Sequence, residues 1–181
     1  MMKALIKGGL LGGLAMFIWG TISWTVLPWR RTSFRTFTDE NAVAQVLVAN
    51  APRRGVYVLP NPFRAGSLPV DGPQAFVTFD ERRPDSRGRP LGGGLLINLL
   101  GGVCLTWLLI QAKLGYWGRV ASATAAGLFA GVVSDLPNWN WWNFPTGYTV
   151  VSVLDHTLAG FLAGLVIAWA LQEPVKTILP E

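Results

Sequence analysis

Four long apolar runs dominate the chain: Gly8 to Pro28, Leu91 to Ala112, Val120 to Leu136 and Val150 to Leu171. Between them they contain only Asp135, Asp155 and His156 as acidic, basic or imidazole side chains. Each run is close to the roughly 20 apolar residues that span a hydrocarbon core of about 30 Å. Backbone polar groups at that depth must be satisfied inside a helix or a closed barrel. The expectation is an all-α integral membrane protein, a bundle of four transmembrane helices. Composition agrees. Only 14% of the 181 residues are charged and 51% are hydrophobic, whereas a soluble domain carries about 25% charged residues and a disordered one has fewer apolar residues and more net charge.

The first run follows Lys3 and Lys7, as a signal peptide would, but it is long and ends in Leu27-Pro28-Trp29 without a small-x-small cleavage site. It reads as an uncleaved anchor. Aromatic residues mark the ends of the runs, as interfacial belts do: Trp24 and Trp29, Tyr116 and Trp117, then Trp139, Trp141, Trp142, Phe144 and Tyr148. The chain divides into residues 1–29 with the first helix, a cap over 30–90, and residues 91–181 with helices at about 91–112, 120–136 and 150–171. Both termini and the Lys113–Arg119 turn then share one side of the membrane, while the cap and a Pro137–Gly147 loop share the other.

Charge gives two answers about orientation. The terminal side holds Lys3, Lys7, Lys113, Arg119 and Lys176, and the cap side holds ten arginines, including Arg30, Arg31, Arg35, Arg82, Arg83, Arg87 and Arg89 near helix ends. A literal count puts the cap in the cytoplasm. Loops longer than about 60 residues, however, cross largely regardless of charge, this one sits at that limit, and the short loops favour cytoplasmic termini. The expectation is therefore cytoplasmic termini and a periplasmic cap, in the pattern of small bacterial inner-membrane proteins. Cys104, the only cysteine, lies inside the second helix and forms no intrachain disulfide.

The cap is expected to be a small α+β unit between the first and second helices. Thr38 suits an N-cap, Asp39 and Glu40 the first turn, and Val43, Val46 and Leu47 an apolar stripe that stops at Asn50-Ala51-Pro52. Strands are expected at Val56–Leu59 and Ala75–Phe79, separated by the turn chemistry of Pro60-Asn61-Pro62 and Asp71-Gly72-Pro73, with a polar linker from Asp80 to Pro90. A unit this small, without disulfides or metal ligands, must lean on the bundle, on lipid headgroups or on a partner protein.

Small residues spaced by four predict how the helices meet, because they let backbones approach in lipid. Gly127-Leu128-Phe129-Ala130-Gly131 and Gly160-Phe161-Leu162-Ala163-Gly164 echo one another. Extending each face by one turn adds Asp135 to the third helix and His156 to the fourth; Gly94, Asn98 and Gly102 make a similar face on the second. With Gly131 near Gly160, antiparallel packing brings Asp135 level with His156. Asn98 lies at a similar depth, as do Thr21 and Ser23. Asp155 points about 100° away from His156, towards the second helix, towards water under the tryptophans, or towards a partner subunit.

Asp135, His156, Asp155 and Asn98 are thus the candidate polar cluster. As chemistry, a carboxylate orients an imidazole for proton transfer or for holding a ligand. As structure, the same groups cross-link helices by hydrogen bonds of about 0.6–2 kcal/mol each. The second reading is the simpler one. One histidine with carboxylates lacks the ligand set of a zinc site or a bis-ligated haem, so no metal or other cofactor is expected. Trp139, Trp141 and Trp142 read as interface anchors, or alternatively as the mouth of a lipid or quinone site.

The cap's ten arginines are interleaved with Asp39, Glu40, Asp71, Asp80, Glu81 and Asp85 and match no nucleic-acid motif. The bilayer, with a protein partner or a second copy of the chain, is the expected company. No phosphate loop, nucleophile elbow or paired-cysteine motif is present, and Gly92-Gly93-Gly94 opens an apolar helix rather than following a strand. The leading expectation is a non-catalytic structural, accessory or assembly subunit that acts through helix packing. The alternatives are a small oligomeric transporter or proton-conducting unit, and a quinone- or lipid-binding enzyme or redox accessory.

Overall fold

A computed structural model describes residues 1–64, 72–80 and 88–172. Four helices are long and apolar enough to cross a membrane: α1 (Met2–Thr25), α4 (Gly88–Gln111), α5 (Tyr116–Trp142) and α6 (Thr146–Ala170). At 1.5 Å per residue their 24 to 27 residues extend about 36–40 Å, longer than the hydrocarbon core. Large apolar side chains line their outer surfaces, among them Leu10, Leu14 and Ile18 on α1, Leu96, Ile97 and Leu100 on α4, and Phe129 and Val133 on α5. Helices apolar on the outside as well as the inside suit lipid and not water.

α1 packs between α4 and α6, α6 packs between α1 and α5, and α4 touches α5 only slightly. Glycines set both close seams. Between α5 and α6, a Cβ added at Gly127 would collide with the His156 carbonyl, one at Gly160 with Ala123 O (2.5 Å), one at Gly131 with Val153 Cα (2.9 Å) and one at Gly164 with Ala123 Cβ (2.7 Å). The register differs by about one turn from the expected one, since Gly127 and not Gly131 sits against Gly160. Between α1 and α4, a Cβ at Gly102 would strike the Gly9 carbonyl and the backbone nitrogen of Gly13 (2.5 Å), while one at Gly13 would meet Leu99 Cα (2.6 Å). Gly94 belongs to neither seam: a Cβ there would make only ordinary contact with Phe17, at 3.8 Å. Leu109, Ala123, Ala163 and Ile167 form a buried apolar cluster joining α4, α5 and α6.

Two helix boundaries depart from the expected ones. α1 stops at Thr25, and a separate short helix, α2 (Pro28–Ser33), begins with proline at its first position, where its fixed φ and missing N–H cost nothing. The boundary expected at Arg30 therefore falls inside α2. α5 continues through Pro137 to Trp142, so most of the expected loop is helix. Proline removes one hydrogen bond from the ladder, and the Gly127 and Gly131 contacts hold the helix below that point. Above it, Asn143 takes a left-handed φ of 53°, and the N–H groups of Asn143 and Phe144 both donate to Asn138 O, closing the helix end as a left-handed asparagine commonly does.

In the cap, α3 (Glu40–Asn50) is capped by Asp39 and not by Thr38: the Asp39 carboxylate accepts from Ala42 N–H at 2.9 Å. Of its expected apolar stripe, Val43 and Leu47 are half-buried and Val46 is exposed. β1 (Gly55–Leu59) pairs antiparallel with β2 (Ala75–Phe79), Tyr57 opposite Val77. The hairpin leans on the bundle where α5 ends. Phe76 stands 5.2 Å from the Trp142 ring and 6.1 Å from Phe144, and Asn143 Nδ2 donates to Gln74 Oε1. Asp71, most of the expected linker with Arg82, Arg83 and Arg87, and the tail with Lys176 lie outside the described residues.

Candidate functional site

Asp155 lies nine residues into α6, about 14 Å below its start, and it faces α1 and α2. The break after Thr25 lets α2 fold against α6, and Arg30 reaches inward from it. Arg30 Nη2 lies 2.5 Å from Asp155 Oδ2, with the two side chains only 6% and 12% exposed. Trp19 Nε1 donates to Asp155 Oδ1 at 2.8 Å, and Arg30 Nη1 to Ser152 Oγ at 3.1 Å. The guanidinium also lies over the Trp24 ring, 4.6 Å from its centroid, a cation–π contact that strengthens on desolvation. Trp29 completes the wall: its Nε1 donates to Ser23 Oγ (3.1 Å), and its ring meets Trp19 edge to face at 6.0 Å. Both carboxylate oxygens thus have donors, and the pair carries no net charge into the bundle. Pairing of this kind is what a charge buried among apolar helices requires, although Arg30 Nε finds no acceptor among the described residues.

Sequence reasoning counted Arg30 only as a charge for orientation. The signal was nonetheless present. A carboxylate deep in an apolar helix calls for a cation, although nothing in the local sequence shows that the turn before Pro28 brings Arg30 to it.

Asp135 and His156 form a second, separate pair. His156 Nε2 stands 3.4 Å from Asp135 Oδ2, and Ser134 Oγ donates to the same oxygen at 3.2 Å. Their side chains are 49% and 17% exposed, so this pair is open where the other is closed. Gly131 makes it possible by bringing the α5 backbone against Val153 and the Cβ of His156. Asn98 is not part of it. It sits on α4, across α1 from α6, and its Nδ2 turns back to Gly94 O at 2.8 Å. Thr21 likewise bonds within its own helix, to Phe17 O, and Ser23 accepts from Trp29. The single expected cluster is therefore two pairs, on neighbouring residues of α6 that point in different directions.

The three tryptophans divide as well. Trp139 Nε1 donates to Thr146 Oγ1 at 3.1 Å, and Trp142 carries Phe76, whereas Trp141 is exposed. Among the described residues no three His, Cys, Asp or Glu side chains converge as a metal site would need. Comparison of the chain with family models, with curated proteins and with solved structures returns no match.

Proposed function

We propose that this chain is a multi-pass protein of a bacterial cytoplasmic membrane, with cytoplasmic termini and a periplasmic cap, acting as a non-catalytic accessory or assembly subunit through its helix faces. The observation that carries this reading is the closed Arg30–Asp155 pair. Asp155 is neutralised and held by hydrogen bonds, which suits a fixed strut better than a proton carrier. The two glycine seams support the same reading, since they lock the bundle by backbone contact and leave the outer apolar faces of α4 and α5 for lipid or for another protein.

The test is mild-detergent isolation of the tagged chain from its native membrane, with the mass of the intact assembly and the identity of its components. A stoichiometric protein partner is the expected result. A chain without partners that passes protons when placed in liposomes would overturn it.

The half-exposed imidazole beside Asp135 favours one second reading, proton transfer by the Asp135–His156 pair. His156→Gln separates the two. Under the accessory reading the variant keeps the assembly and loses a little thermal stability, because Gln still hydrogen-bonds. Under proton transfer it abolishes activity with the fold intact.

A further inference from the structure

The cap-side ends of the long helices carry a continuous line of aromatic rings. Trp24 lies 6.1 Å from Phe34, Phe34 5.9 Å from Tyr148, Tyr148 5.7 Å from Phe144, Phe144 6.1 Å from Phe76, and Phe76 5.2 Å from Trp142. The line runs from the end of α1, past α2 and the first turn of α6, to the end of α5 and up onto the hairpin. It includes a residue of the cap itself, so it ties the cap to the level at which aromatic rings meet headgroups.

The cap and the helix ends that adjoin it in the chain also carry arginines. Arg31 and Arg35 flank Phe34, Arg89 lies in the first turn of α4, and Arg53 and Arg64 belong to the cap; all five are exposed. None of the five is ion-paired within the described residues, where Arg54 is matched with Asp80 and Arg30 with Asp155. Of the acids nearest Arg31 and Arg35 in sequence, Asp39 caps α3 and Glu40 sits in its first turn. The same stretch of chain presents apolar side chains, with Phe34, Phe37, Val46, Val48 and Phe63 all more than half exposed.

We propose that this surface binds the phosphate-bearing headgroups of anionic lipids in the cap-side leaflet, and that the cap lies against that leaflet. The inference rests on the membrane reading above and adds the lipid class. Arginine suits the task because its planar fork of donors matches phosphate oxygens. Rings held at the same level suit it too, since they place the headgroup plane beside the guanidinium groups. A neutral headgroup offers no net charge to match five arginines that are unpaired among the described residues, whereas an anionic surface attracts each basic residue.

The full chain is placed in nanodiscs of phosphatidylcholine alone, or of phosphatidylcholine with about 30% phosphatidylglycerol, and amide hydrogen exchange is followed. Exchange in α3 and in the β1–β2 hairpin is expected to slow several-fold in the anionic discs. The Arg31→Gln, Arg35→Gln, Arg53→Gln variant should lose that slowing while α1, α4, α5 and α6 stay protected in both discs. Each arginine contributes about fivefold to the lipid preference. Equal exchange of the cap in the two lipids, whether fast or slow, would overturn the proposal. Loss of protection along the four long helices would instead overturn the membrane reading on which it rests.

Discussion

Asp155 and Asp135 are two carboxylates at comparable depth in neighbouring helices, and their surroundings differ in almost every respect. Asp155 meets a permanent cation and an indole N–H inside a wall of tryptophans. Asp135 meets a histidine, whose charge depends on protonation, at a surface left half open. The first pair joins α6 to α1 and α2, which lie more than a hundred residues earlier in the chain. The second joins only α5 and α6, which already touch through glycines. A carboxylate that organises the fold and one that is available for something else can therefore be told apart by partner and enclosure, although both look alike in the sequence.

The largest expected effect follows from breaking the closed pair. Arg30→Gln or Asp155→Asn leaves one buried charge uncompensated, a loss of about 3–5 kcal/mol, read as a marked drop in the unfolding temperature in detergent. Replacing both with apolar residues of similar volume should recover most of that loss. Next comes Gly131→Ala, whose added Cβ would stand 2.9 Å from Val153 Cα. Because the obstacle is backbone, α5 and α6 must separate, at about 1–3 kcal/mol, and the Asp135–His156 distance should lengthen while the Arg30–Asp155 contact survives. Gly94→Ala, outside both seams, is expected to change neither stability nor assembly. Asp135→Asn and His156→Leu should each cost about 0.6–2 kcal/mol, visible as a smaller thermal shift. Among the changes that cost stability the most local is Phe76→Ala, which removes the ring contacts to Trp142 and Phe144, worth about 0.5–1.5 kcal/mol beyond burial; faster amide exchange confined to β1 and β2 would report it.

The long helices were legible because helices long and apolar enough to cross a membrane announce themselves in the sequence, and the glycine pattern of α5 and α6 predicted the face they share. The Asp135–His156 pairing followed from that face. Three things were not legible. The glycines of α1, at positions 8, 9, 12 and 13, carry two neighbours instead of one, so their spacing does not single out a face. Pro137 looked like a stop because local rules treat proline alone, whereas tertiary contacts on both sides of it keep α5 helical. Arg30 looked like loop because the turn at Val26 and Leu27 that sends α2 back onto α6 is decided by Asp155, 125 residues away.

The central claim is that Asp155 and Arg30 form one closed strut. A double-mutant cycle on thermal unfolding in lipid tests it most directly, using Arg30→Gln, Asp155→Asn and the two combined. Strong coupling is predicted: each single change should be severe, and the double change should cost far less than the two added together. Additive effects, or single variants as stable as the parent chain, would contradict the account and return Asp155 to the list of groups free to carry a proton or meet a partner.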